Sequence, residues 1–238
     1  LVCIGFISHS LERNRLEKAR QTAELNARIK VCRQATGALP GQFLPAELGT
    51  LMLQIEISLL ERLQRIGKSQ DVQQRLDQAR AAQTEGKVPS NPPVELDSEA
   101  RGKEARLQLE NLFKQLQQAE RDGLIDNATL KHWGTHVRRS LITANLETFN
   151  ATAKQAMSQG KPRVAKLQYE RAIAFITKLN NPSLAKHLEH YKQLLKRAEA
   201  AVIAQNQADE GQPSELDAGL AEMESADELW QKKAVYDD

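Results

Sequence analysis

Aromatic side chains make up only 4% of this 238-residue chain. Val, Ile and Thr are scattered rather than gathered into alternating runs, so the material for a β-sheet is missing. Cysteine is nearly absent too. Cys3 and Cys32 are the two in the sequence, and on one helix they would stand about 43 Å apart at 1.5 Å per residue, too far to bridge. Both are read as reduced thiols, Cys32 on an apolar helix face. No GxxxxGK[ST] or GxGxxG loop appears, and no HExxH, CxxC or GxSxG. The positive case for phosphate-cradling, zinc-hydrolase or nucleophile-elbow chemistry is therefore missing.

What is abundant is Ala, Leu, Gln, Glu, Lys and Arg, side chains that lose little rotamer freedom in a helix. The fold class expected is all-α: an N-terminal long helical hairpin, a C-terminal helical bundle and an acidic C-terminal tail. Few aromatics imply thin cores in which Leu and Ala pack helix on helix.

The net charge of +2 hides an asymmetry. Residues 209–238 hold ten acidic and two basic side chains, a net of −8, which leaves +10 on residues 1–208. A basic body with an acidic tail points to an intramolecular mask, a partner-binding tail or a solvated one.

The first residues, LVCIGFI, are uncharged and apolar, and SHSLERNRLEKAR then turns polar. Seven residues are too few for a bilayer, which takes about 20. Residues 1–9 are read as the end of a transmembrane helix whose beginning lies upstream of Leu1. Arg13, Arg15, Lys18 and Arg20 follow at once, which favours a cytoplasmic body. A signal peptide competes, but no small-residue cleavage site follows. The expected location is an inner (plasma) membrane of bacterial style, single-pass.

Residues 10–83 are read as a helical hairpin or coiled-coil module. Its first helix carries an imperfect stripe of Leu11, Leu16, Ala19, Ala23, Leu25, Ile29 and Cys32. After the loop GALPGQFLP, Leu48, Met52, Ile55, Leu59, Leu63 and Ile66 recur at helical spacing, the strongest stripe in the chain. Residues 84–98, TEGKVPSNPPVELDS, read as a Pro-rich linker and a module boundary. Asp97 or Ser98 caps a helix carrying Ala105, Leu109, Leu112, Leu116 and Ala119. Asp126 or Asn127 caps a long one ending at Ser158.

The segment from Phe149 to Pro182 reads as a helical hairpin. Gly160 breaks the chain, Pro162 restarts it, and Ala165, Tyr169, Ala172 and Ile176 follow at spacings of four, three and four. Gly160, Ala165, Tyr169 and Ala172 resemble the second half of a tetratricopeptide repeat. Phe149 and Ala153 sit where its first helix carries an aromatic and a small residue. The resemblance implies close-packed helices and a protein-binding role for residues 99–206, with Leu184 to Val202 as a capping helix. It departs from the family at Thr152, at Ala156 and in the lateness of Pro182. It covers about one seventh of the chain with no second copy, so a generic helical hairpin remains the alternative.

His132 and His136 have metal-ligand spacing but no further ligand nearby in sequence, and His187 with His190 is a weaker pair; no metal is assigned. Basic residues cluster around Lys131 and 136–139, and at Lys154, Lys161, Arg163 and Lys166. Residues 207–238 form the acidic tail, where Leu216, Leu220, Met223 and Trp230 pattern a short amphipathic helix suited to a groove. With Tyr169 these four are the candidate partner-binding residues. The reading is a non-enzymatic, membrane-anchored helical adaptor or scaffold without a cofactor, binding protein partners, with a homo-oligomer left open. The alternative is a basic helical domain on an anionic membrane surface or, less favoured for want of stacking aromatics, on nucleic acid.

Overall fold

The computed structural model describes residues 2–88 and 90–210, and these form helices joined by short connections, with no strand among them. The all-α expectation holds. Residues 211–238, with Leu216, Leu220, Met223 and Trp230, lie outside the described residues. The chain divides into two compact units, Leu1–Ala151 and Thr152–Asp238.

In the first unit, α1 (Val2–Ala38) runs unbroken through the expected boundary at residue 9. Its stripe is buried only from Leu25 onward, through Ile29, Cys32, Ala35 and on to Leu39. Before that, Leu11 and Leu16 are 59% and 67% exposed. The helix is exposed from Leu11 to Arg20 and packs through its apolar stripe from Leu25 on.

A 3-10 turn (Gly41–Phe43) leads into α2 (Ala46–Ile66), which begins after Pro45. Leu48, Met52, Ile55, Leu59 and Leu63 are all buried, Ile66 partly. The period of 3.6 turns these residues onto one face, packed against α1 and against α3 (Gln70–Thr84). The chain breaks at Gly67 to Ser69 between α2 and α3 rather than continuing as one helix.

After Thr84, where α3 ends, the described residues of the Pro-rich segment are free of helix up to the Ser98 cap, as its prolines dictate. It differs from the expected module boundary in being fastened down inside the first unit. Asn91 Nδ2 donates to the carbonyls of Thr36 and Leu39 at 2.6 Å each, Gly41 N donates to Pro92 O at 3.0 Å, and Gln42 pairs both ways with the Val94 backbone. Leu96 joins the core at 3% exposure. The segment meets carbonyls that the end of α1 leaves without intrahelical partners. That makes it a strap rather than a linker.

Ser98 caps α4 (Glu99–Arg121), its Oγ accepting from Arg101 N at 3.3 Å. Ala105, Leu109, Leu112, Leu116 and Ala119 are buried, and α4 packs on α1. At its far end Gly123 takes φ +70°, while Leu124 N reaches back to Ala119 O and Gly123 N to Glu120 O. This left-handed stop suits glycine. Asp126 then caps α5 (Asn127–Ser158), its Oδ1 accepting from Thr129 N at 2.7 Å. Hydrogen bonds from Thr129 hold this carboxyl below the usual carboxylate range.

Helix α4 approaches α5 at two glycines. A methyl at Gly102 would overlap the Thr148 side chain, and one at Gly134 would stand 3.0 Å from the Phe113 ring. As 102 rises to 113 along α4, its partner falls from 148 to 134 along α5, the pattern of an antiparallel pair.

The second unit holds the last turns of α5, then α6 (Pro162–Leu179), a 3-10 turn (Pro182–Leu184) and α7 (Ala185–Glu210). The turn after Ser158 repeats the left-handed stop: Gly160 has φ +67°, and Lys161 N donates to Ala156 O at 2.9 Å. Ala165, Tyr169, Ala172 and Ile176 are all buried, and α6 packs along α7. Helix α7 extends to Glu210, past residue 207 where the tail was expected to begin.

Candidate functional site

Tyr169 sits where the repeat-like pattern put it, on the inner face of α6, but it is only 4% exposed. Its ring lies 6.3 Å from that of Tyr191 on α7, tilted by 52°. Burial pushes its phenol pKa up, with Arg197 opposing. In this structure Tyr169 is engaged by α7, and partner contact through it would require α7 to move. The outer face of α6 is different. Val164 and Leu167 are 43% and 45% exposed there, so the helix carries apolar groups on both sides.

The histidine pair is taken up structurally. His136 Nε2 lies 3.2 Å from the Phe43 carbonyl, with Ser140 Oγ 3.4 Å away, and the Trp133 ring stands edge-on to both His132 and His136. Among the described residues no three His, Cys, Asp or Glu side chains gather as a metal-binding group. In the cluster on α6, Lys166 is the residue that meets acids. Lys166 lies 3.8 Å from Glu170 and 3.6 Å from Glu199, and Arg163 donates to Asn206 at 2.7 Å.

Sequence reasoning missed a cleft of about 330 Å³ in the first unit. Gln21, Glu24, Leu25 and Arg28 of α1, Arg62, Arg65 and Ile66 of α2, and Asp122 at the end of α4 line it. Arg28 Nη1 donates to Asp122 Oδ2 at 2.6 Å, and Arg62 reaches the same oxygen at 3.4 Å and the Asp122 carbonyl at 3.0 Å. One carboxylate thus holds two guanidinium groups in place. The two cations also sit at the carbonyl end of α4, where positive charge is favoured.

Arg28 retains an unsatisfied demand. Its Nε and Nη2 are buried and have no hydrogen-bond partner among the described residues. Among the described residues Arg65, exposed on the rim, has no acidic partner within 4 Å, and Glu24 has no basic one. A signal for this cleft was present: Arg28 lies within the buried stripe between Leu25 and Ile29, where a charge needs a partner.

Cys32 is 1% exposed, and burial, with the Glu56 charge, pushes its thiol pKa up to about 12. It is an inert core thiol, as expected. Among the described residues no helix is long and apolar enough to cross a membrane. No family model, curated protein or solved structure matches this chain.

Proposed function

We propose that this protein is a non-enzymatic helical adaptor, tethered to a membrane by an apolar segment of which LVCIGFI is the end, with its body on the cytoplasmic side. The observation that carries the reading is the exposed stretch of α1 from Leu11 to Arg20. Leu11 and Leu16 stand exposed on a helix whose apolar stripe is buried from Leu25 on. An isolated stretch of polar helix is marginal in water, and a partner helix covering Leu11 and Leu16 would stabilise it. The charge order supports the membrane side, since Arg13, Arg15, Lys18 and Arg20 come directly after the apolar residues.

The second unit adds a binding surface under this reading. Its order of small, aromatic and small residues down α6 supports a repeat-like hairpin capped by α7, with Val164 and Leu167 facing outward. The acidic tail, through Leu216, Leu220, Met223 and Trp230, supplies a second contact.

The test is capture from detergent-solubilised membranes, using the native gene with whatever precedes Leu1. The expected result is recovery in the membrane fraction after alkaline wash, with a specific protein co-purifying, and loss of that protein on Leu11→Asp together with Leu16→Asp. A native gene that encodes no apolar residues ahead of Leu1 would defeat the tether. Capture unaffected by the double substitution would defeat the role of α1. Deletion of 209–238 without loss of any partner would remove the tail from the account.

A further inference from the structure

We infer that the cleft between α1, the end of α2 and the end of α4 is a receptor for one acidic side chain carried on an apolar stem, presented by a protein partner. The inference rests on the adaptor reading and names the chemistry such a partner would bring to this site. Three arginines (Arg28, Arg62 and Arg65) face two acids (Glu24 and Asp122) around the cleft, a local charge of +1. Asp122 is already bound to Arg28 and Arg62, at 2.6 and 3.4 Å. Among the described residues Arg65, on the exposed rim, is the lining arginine without an ion pair. Charge of one sign is thus fixed at the back of the cleft and left free at its mouth.

Leu25 and Ile66 supply apolar lining beside these cations. A phosphate or a nucleic-acid backbone is a poor fit: it brings two or more charges past Glu24 and Asp122 and keeps its hydration, so the apolar lining gains nothing. A single carboxylate on a hydrocarbon stem fits both parts. Its oxygens take the forked donors of Arg65, a geometry that arginine favours, and its methylenes cover Leu25 and Ile66. The opening, at about 330 Å³, accommodates one or two side chains and not a folded domain. Arg28 and Arg62 are positioning residues, since Asp122 fixes them before any ligand arrives.

The experiment uses the full chain, with the methyl groups of Leu25 and Ile66 observed by NMR. The probe is a synthetic peptide alternating pairs of Glu and Leu; inorganic phosphate and a Lys-for-Glu version of the peptide serve as comparisons. The expected result is that the acidic peptide shifts the Leu25 and Ile66 methyls, that its binding weakens at least tenfold on Arg65→Glu and that it stays within threefold on Arg65→Lys. Arg65 is exposed, so both variants should melt with the parent. Shifts reproduced by phosphate alone or by the Lys peptide, equal binding by Arg65→Glu, or no shift at these two methyls would each overturn the inference. Capture of a membrane partner separates the two claims. If Arg65→Glu captures it as strongly as the parent, the cleft assignment is overturned and the adaptor stands. If the parent captures nothing while the peptide still moves Leu25 and Ile66, the cleft assignment stands and the adaptor reading falls.

Discussion

Gly102→Ala is a test of the α4–α5 contact in which the sign of the effect carries the information. In the interior of an exposed helix, replacing glycine by alanine gains about 1 kcal/mol. At Gly102 the new methyl would fall onto Thr148 Oγ1 and lie 2.7 and 2.9 Å from its Cγ2 and Cβ. Thr148 has little room to yield. It is 4% exposed, and its Oγ1 donates to Ala144 O at 2.7 Å within α5. Overpacking of this kind costs typically 1–3 kcal/mol, and three atoms inside contact distance argue for the upper end. Subtracting the helix gain leaves a net loss of about 2 kcal/mol, or roughly 4–8 °C in Tm for a protein of this size. Chemical denaturation and calorimetry of parent, Gly102→Ala, Thr148→Ala and the double variant measure it. In the Thr148→Ala background the cost should shrink by about 1 kcal/mol or more, a coupling that only a direct contact produces. A Gly102→Ala protein as stable as the parent, or two substitutions that simply add, would refute the close approach of these helices.

Asp122→Ala should destabilise by about 3 kcal/mol, because it leaves Arg28, its side chain only 13% exposed, without the anion that holds it; urea midpoints measure this, and a change under 1 kcal/mol would count against the pairing. Asn91→Ala removes two hydrogen bonds to the end of α1 and should cost about 2 kcal/mol, with faster amide exchange at Gly41, whose N–H bonds to Pro92. Cys32, its thiol pushed up from 9.0 to about 12, is neutral in the folded protein where an unfolded thiol would ionise. Its contribution is complete below about pH 9 and is lost as pH rises from 9 toward 12. Cys32→Ala should therefore flatten the alkaline fall in stability, and in a Cys3→Ser background thiol labelling at pH 8 should proceed only as fast as the protein opens.

Periodicity made the helices legible wherever one face is buried along the whole element. Leu48 through Leu63 on α2 and Ala105 through Ala119 on α4 went inside as their spacing predicted, and so did Ala165, Tyr169, Ala172 and Ile176 on α6. On α1 the same logic covers only half the helix. A stripe in sequence cannot say where a neighbour stops, and here packing begins at Leu25. The strap at 84–98 looked like a linker because its value lies in backbone partners 52 and 55 residues away, which no local pattern encodes. Tyr169 was correctly placed on a helix face but assigned to an outside partner, although α7 supplies the covering surface. The arginine cleft brings together residues 60 and 94 positions apart in the chain. Only the charge inside the α1 stripe, at Arg28, announced it.

The length of α1 ahead of its packed stretch also sets a distance. Residues 2–24 at 1.5 Å each span about 34 Å of helix, whereas the Debye length at physiological salt is about 8 Å. If the Val2 end is fixed to an anionic surface and the arm stands upright, the charges beyond Leu25 lie some four screening lengths away and feel almost none of its field. Lys18 and Arg20, partway along the arm, feel little more. Attraction to the lipid would then fall to the few basic residues nearest the apolar end, while the body's net positive charge remains available to whatever approaches from solution.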